Sequence, residues 1–347
     1  MEAGLNVKYV FADISISPRD IAAMAPGLEA AGYDGLQSAE TSHDPFVSLA
    51  AASQRTTRLE LRTGVAIALA RNPMSTAMTA YDLQLLSEGR FSLALGTQLK
   101  AHITRRFGMP WSDPVRRMRE YVLAVRAIWR TFETSERLRF RGEFYRHTLM
   151  APFFNPGPNP YGDPAVLLGG VGEQMTELAG EIGDGFIAHN ITTRLFFDEV
   201  TLPALSRGRS KTNKSMAGFQ LHFFPIVATG RNEAELSAAI SKARQQVAFY
   251  TATPTYARLL ELHGYAELRE ELQRLSAQGR TDEMASVIDD KVLDTFAIVG
   301  EPREAAAKIN DRFGDVASSI ACYEPGVTDP GRWVAVFDAL RDLRGAA

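Results

Sequence analysis

The chain has 347 residues, 38 basic and 41 acidic, for a net charge of −3. That balance gives no footing for nucleic-acid binding, because the basic runs at 100–106 and 116–119 are local rather than a domain-wide stripe. The single cysteine, Cys322, excludes an intrachain disulfide and a zinc site built on several thiolates. It lies in an apolar run and reads as a small buried hydrophobe. The opening MEAGLNVKYV lacks a charged-then-apolar leader, and no apolar run reaches the ~18 residues of a membrane span. A cytoplasmic protein with no membrane and no nucleic-acid partner is expected.

Strand-like and helix-like runs alternate along the chain. Leu5 to Ile14 is the first strand, and Ser17–Pro18 opens a helix that ends near Gly32. Tyr33 to Ala39 is the second strand, and Asp44–Pro45 starts the next helix. Leu59 to Leu69 is an apolar third strand, stopped before Pro73. The helix that follows closes at Gly89, and Phe91 to Thr97 is the fourth strand. Strands apolar on both faces belong to a parallel sheet covered by helices. Gly64 inside a strand marks a close approach of backbone and ligand. Ser112–Asp113–Pro114 begins a long amphipathic helix through Thr134. Residues 139–161 are irregular, aromatic and proline-rich, a surface excursion.

Ala165 to Gly170 is the fifth strand and Gly185 to Asn190 the sixth, each followed by a helix. Gln220 to Thr229 is the seventh, and a long helical region covers Asn232 to Val287. Ser318 to Glu324 is the eighth, between helices at Pro302–Phe313 and Pro330–Leu343. Eight strands alternating with helices fit a (β/α)8 TIM barrel. At ~150 residues per domain the length suggests two domains, but barrels run longer as one. The expectation is a single barrel over 1–347 with insertions at about 139–161 and 253–296. The alternative is a doubly wound open sheet. It usually carries G-x-G-x-x-G after its first strand, where this chain has Ala12–Asp13–Ile14.

Barrel sites lie at the C-terminal ends of the strands. Those ends supply Asp13, Glu40, Thr63, Gly64, Val65, Thr97, Gln98, Gly169, Gly170, His189, Asn190, Thr229 and Glu324. Gly169, Gly170, Val171 and Gly172 before a helix suit an anion such as phosphate, or else form a tight turn needing positive φ. Lys100, His102, Arg105 and Arg106 follow the fourth strand and either hold an anionic cofactor tail or acidic substrate, or form a solvated basic loop. Glu40 and His43 at the mouth offer acid–base chemistry, the plainer alternative being a loop residue and an N-cap at Asp44. No H-E-x-x-H or similar metal cluster and no G-x-S-x-G elbow appears, so no metal is expected and neither zinc hydrolysis nor serine acyl transfer has a foothold.

At these residues the chain resembles the bacterial luciferase-like flavin monooxygenase superfamily. The landmarks are Gly32–Tyr33–Asp34–Gly35 leading to Glu40, Thr57 to Leu61 leading to Thr63–Gly64–Val65, and Arg71–Asn72–Pro73. They continue with Leu86–Ser87–Glu88–Gly89–Arg90–Phe91, Leu95–Gly96–Thr97, Phe140 to Tyr145, and Leu168 to Gly172 with Asp184–Gly185. ETSHDPF and RRFGMPWSDPVRRMREYV most resemble the branch of oxidoreductases using the deazaflavin coenzyme F420. The resemblance implies a TIM-like barrel with the flavin or deazaflavin ring in its mouth. It implies a non-proline cis peptide behind the ring, which maps to Gly64–Val65. Glu40, Thr97 and Gln98 would then face the ring or its ribityl chain, and Gly169 to Gly172 the phosphate. Alcohol-oxidising deazaflavin members carry Asp-His at the end of strand two. Glu40–Thr41 stands there in this chain, so reduction of an activated double bond or carbonyl, or another hydride transfer, is open.

The expected function is hydride transfer between coenzyme F420 and a small organic substrate. Glu40 is the first candidate for proton handling, followed by His43 and His102; cofactor contacts are expected from Asp13, Thr63 and His189 as well. The alternatives are an FMN-dependent monooxygenase fed reduced flavin by a separate reductase, and a non-catalytic flavin-binding protein. Phe153, Phe154, Phe249 and Tyr250 are candidate pocket residues, and an amphipathic Tyr256–Leu275 helix is a candidate homodimer face.

Overall fold

The computed structural model describes residues 7–345. Eight parallel strands form a closed ring: β1 (Lys8–Asp13), β2 (Gly35–Ser38), β3 (Glu60–Thr63), β4 (Phe91–Gly96), β5 (Ala165–Gly169), β6 (Gly185–Ile187), β7 (Gln220–Phe223) and β8 (Ser319–Cys322). Each pairs with its neighbours in chain order, and β1 pairs with β8 to close the ring. The (β/α)8 barrel expected from the sequence is the fold. Leu5 and Asn6 of the expected first strand lie outside the described residues.

Side chains alternate across this wall with period two. On β1, Tyr9 and Phe11 point outward into the layer between strands and helices, where Tyr9 stacks on Phe337 at 4.8 Å and Phe11 meets Tyr33 edge-on at 5.9 Å. The large fully buried residues of this layer include Trp129, Tyr121, Phe91 and Phe132. In the interior, Ala94, Leu167 and Ile187 form a separate apolar cluster with Val65.

The first four helices open alike: α1 (Pro18–Ala30), α2 (Pro45–Ser53), α3 (Pro73–Leu86) and α4 (Pro114–Thr134). Each has proline at its start, behind a cap residue (Ser17, Asp44, Asn72, Asp113) whose side chain accepts a backbone N–H. Proline lacks the N–H that a first turn cannot bond, and the cap satisfies one that remains. Gly89, at φ +84°, takes the left-handed backbone that ends the α3 segment before β4.

The structure corrects three expectations. The third strand is not continuous from Leu59 to Leu69: β3 stops at Thr63, and Ala66–Ile67 resumes pairing with Leu95 and Gly96. The seventh strand divides at Phe224–Pro225, since proline has no N–H to give the ladder. Its second half, Ile226–Ala228, leaves the barrel sheet and pairs in parallel with Ala297–Val299. That three-residue strand, directly behind helix Asp290–Phe296, falls between the expected helical region ending at Val287 and the helix starting at Pro302, where no element was expected. The expected Tyr256–Leu275 helix divides at Gly264 (φ +75°) into Ala257–Leu262 and Ala266–Ala277.

These helices, with Glu233–Thr251 and Asp290–Phe296, build a second apolar core from Val247, Leu260, Leu272 and Leu293 over Ile226 and Ala228. The helical segment thus forms a cap on the β6–β7 side. The excursion at 139–161 lies along α4 instead, where Glu120 accepts N–H groups of Glu143, Phe144 and Tyr145. Its Asn155 reaches Thr131 near the far end of α4, so the exposed Phe153 (92%) and Phe154 stand away from the mouth, not in it. Cys322 is buried, and burial pushes its thiol up. No helix among the described residues is long and apolar enough to cross a membrane.

Candidate functional site

The C-terminal ends of the strands surround an apolar floor. Val65 lies across it, in the cluster with Ala94, Leu167 and Ile187. Glycines make room for it: a Cβ on Gly96 would stand 2.6 Å from Val65 Cγ2, and one on Gly169 would stand 3.1 Å from Cγ1. A Cβ on Gly64 would fall 2.0 Å from Gln37 Cγ, so Gln37 passes directly beneath. The Gly64–Val65 peptide is cis.

Below the floor the barrel is polar. Arg62 Nε donates to Gln37 Oε1 at 2.8 Å, and its Nη1 donates to Ser319 Oγ at 2.9 Å. Nη1 also lies 2.7 Å from His222 Nδ1. A guanidinium only donates, so Nδ1 is the acceptor and His222 carries its hydrogen on Nε2, facing Gln220 Oε1 at 3.1 Å. Burial, then the Arg62 charge, hold the His222 imidazole well below its usual range. Burial pushes Arg62 down to about 10, which leaves it cationic at neutral pH.

The β2–β3 rim is built on Glu40. Its carboxylate, 8% exposed, accepts from Ile67 N at 2.7 Å and from Arg71 at 2.8 and 3.2 Å. Arg71 also donates to Asp44 at 2.7 Å, and its guanidinium lies over the Phe46 ring. Burial lowers the Arg71 pKa, but the bonds to Glu40 and Asp44 outweigh it and raise the balance. Glu40 therefore stands in an ion-paired knot. His43 and His102 are exposed on rim loops.

Two expected cofactor contacts are committed elsewhere. Asp13 follows Tyr9 and Phe11 on the outward face, where its carboxylate accepts from Ile16 N at 2.7 Å and from the Ser38 hydroxyl at 2.8 Å. Burial pushes its carboxyl up. Thr63 Oγ1 donates to Ala94 O at 2.6 Å and accepts from Ala94 N at 2.8 Å, joining β3 to β4 where their ladder parts.

Thr97 and Gln98 leave β4 at the mouth, Gln98 with left-handed φ of +59°. The basic loop that follows winds into a π-helical turn at His102–Arg106, and Arg106 donates to Thr41 O across the rim. On the opposite arc, Gly169 to Gly172 lead into α5 (Glu173–Ile182). Unlike α1 to α4, α5 has no side-chain cap, so its first N–H groups point to the mouth unbonded by one. The Glu173 carboxylate turns away to Arg207.

His189 continues the inward face of Gly185 and Ile187, while Ala188 N still bonds His222 O. Its ring meets Tyr250 edge-on at 4.8 Å, and its Nε2 lies 2.9 Å from Tyr256 Oη. Burial lowers its imidazole to about 4, so the ring is neutral at neutral pH. Asn190 Nδ2 donates to Tyr250 Oη at 3.2 Å. At the end of β8, Glu324 is buried beside Arg332 at 3.3 Å and Lys242 at 3.6 Å, and burial pushes its carboxyl up. Among the described residues no group of three or more His, Cys, Asp or Glu is placed to hold a metal ion.

Sequence reasoning missed two residues here. Arg71 stood in a recognised landmark but carried no role; a cation at the end of an apolar strand was its signal. Tyr256 meets His189 across 67 positions and had no local signal at all.

Residues 3–318 match the model of the luciferase-like monooxygenase family. The chain belongs to that family. An uncharacterized protein of Mycobacterium tuberculosis is 45% identical over 296 residues, covering 85% of this chain and 87% of the relative. The F420-dependent glucose-6-phosphate dehydrogenase of Intrasporangium calvum is 27% identical over 359 residues, covering 98% and 99%. In fold, the coenzyme F420 dependent tetrahydromethanopterin reductase from Methanopyrus kandleri superposes with a TM-score of 0.79 at 19% identity, covering 95% of this chain and 96% of that one.

Proposed function

We propose that this luciferase-like protein is a coenzyme F420-dependent oxidoreductase that transfers hydride to or from a small organic substrate at the barrel mouth. The observation that carries the reading is the apolar floor at Val65, where Gly96 and Gly169 leave no side chain in the way, a place suited to one face of a planar ring. The uncapped start of α5 behind Gly170 and Gly172 suits the phosphate of such a cofactor. Lys100 and Arg105 on the rim suit a longer anionic tail, which favours the deazaflavin over FMN. The full-length similarity to an F420-dependent dehydrogenase supports the same choice.

When bound, the coenzyme supplies the hydride or its acceptor. The chain supplies a floor of fixed shape, an anion site and an ion-paired rim. Glu40 acts with Arg71 as a positioning pair, since N–H donors already claim its oxygens. A proton that accompanies hydride passes by the open rim, where His43 and His102 are exposed.

A second reading, an FMN-dependent monooxygenase served by a separate reductase, is supported by the family's own description. Oxygen uptake with reduced FMN and substrate separates the two, because a reduced deazaflavin reacts poorly with oxygen. Turnover of reduced deazaflavin across a panel of activated alkenes and carbonyls is the expected result. No turnover with either reduced cofactor across that panel would instead favour a flavin-binding protein without catalysis.

A further inference from the structure

On the β6 side of the mouth, polar atoms outnumber their partners. Asn190 is 4% exposed, and its Oδ1 is buried with no hydrogen-bond partner. The neighbouring His189 uses Nε2 toward Tyr256, and its buried Nδ1 has none. Leaving a buried donor or acceptor unsatisfied costs ~1–3 kcal/mol. Two such atoms on adjacent residues, at the mouth of a barrel, mark a place where a ligand completes the bonding.

The His189 tautomer sets their polarity. Burial keeps the Tyr256 phenol protonated, and at 2.9 Å it can donate that hydrogen to His189 Nε2. A neutral imidazole whose Nε2 accepts carries its hydrogen on Nδ1. With the phenol as donor, the pair offers one donor, His189 Nδ1–H, beside one acceptor, Asn190 Oδ1. Tyr250 braces both, edge-on to the imidazole and bonded to the Asn190 amide.

We infer that His189 and Asn190 form a substrate subsite for a carbonyl oxygen flanked by a hydrogen donor, as in a carboxamide. The carbonyl accepts from His189 Nδ1, and the adjacent N–H donates to Asn190 Oδ1. Tyr256 is a positioning residue that fixes the histidine tautomer. This inference rests on the mouth being the reaction site, but its test needs no coenzyme, so its failure is distinct from failure of coenzyme binding.

The test uses the full chain, labelled with 15N at histidine, with benzamide and its near-isostere acetophenone as probes. His189 is expected as the Nδ1–H tautomer, its signals identified by loss in His189→Gln. Tyr256→Phe should give a mixture of tautomers while the fold is kept. Benzamide should shift the His189 nitrogens and bind about tenfold more tightly than acetophenone, the effect of one added bond to a buried acceptor. Asn190→Leu should erase that preference, and Asn190→Asp, which keeps acceptor oxygens, should retain it. An Nε2–H tautomer in the parent, equal affinity for the two probes, no benzamide binding at millimolar concentration, or a preference that survives Asn190→Leu would each overturn the inference.

Discussion

The two sides of the barrel mouth handle polarity in opposite ways. On the β2–β3 side, Glu40, Arg71, Asp44 and the Ile67 N–H satisfy one another in one knot. On the β6 side, His189 and Asn190 each leave an atom unbonded, held up by Tyr250 and Tyr256 from the helical cap. A satisfied network adds rigidity, whereas an unsatisfied one costs stability and is kept where a ligand completes it. The contrast separates a rim that shapes the site from a wall that reads what enters it.

The largest expected effect comes from breaking the satisfied side. Arg71→Ala leaves the nearly buried Glu40 carboxylate without its cation, and should cost about 3 kcal/mol in chemical denaturation. A loss below ~0.5 kcal/mol would mean that the knot is ornamental.

The β6 side should show itself in pH dependence. His189 falls from an unfolded value near ~6.5 to about 4 in the fold, so below pH ~6.5 the unfolded chain binds the extra proton. Stability is then lost as pH falls from ~6.5 toward 4, at up to about 1.4 kcal/mol per pH unit for this group. Buried His222 adds loss in the same direction. His189→Gln should make the slope of unfolding free energy against pH shallower by one histidine; an unchanged slope would show that His189 is not held neutral.

Asn190→Leu sharpens the comparison. Removing an unsatisfied acceptor offsets the lost bond to Tyr250, so thermal and chemical stability should change by less than ~1 kcal/mol. The same truncation on the Arg71 side should be several-fold more damaging. Smallest of all is the effect on stability of Lys100→Glu with Arg105→Glu on the exposed rim, within ~0.5 kcal/mol. Deazaflavin affinity should nonetheless fall in calorimetry, and the parent's affinity should weaken with added salt while the variant's changes less.

Much of this was legible in the sequence because strand ends are marked locally. Alternating apolar runs bounded by Gly89, Pro73 or Asp113–Pro114 placed all eight barrel strands in order, and therefore the mouth. What each mouth residue does there was less legible. Asp13 and Thr63 stand at strand ends, yet alternation and a parting ladder turn them to Ser38, Ile16 and Ala94. Glu40 meets its cation 31 positions away, and His189 meets its phenol 67 away. Such partners follow from closure of the ring and from the docking of the cap, which no local pattern encodes. The strand at Ala297–Val299 escaped for a like reason: three residues carry no period, and only Ile226–Ala228 beside them makes them a strand.

The most direct test of the account is a side-by-side titration of the full chain with coenzyme F420 and with FMN, followed by fluorescence or calorimetry. Micromolar binding of the deazaflavin is expected, weakened when Gly96 is replaced by valine so that the floor at Val65 is disturbed. Micromolar binding of FMN with none of the deazaflavin would contradict it.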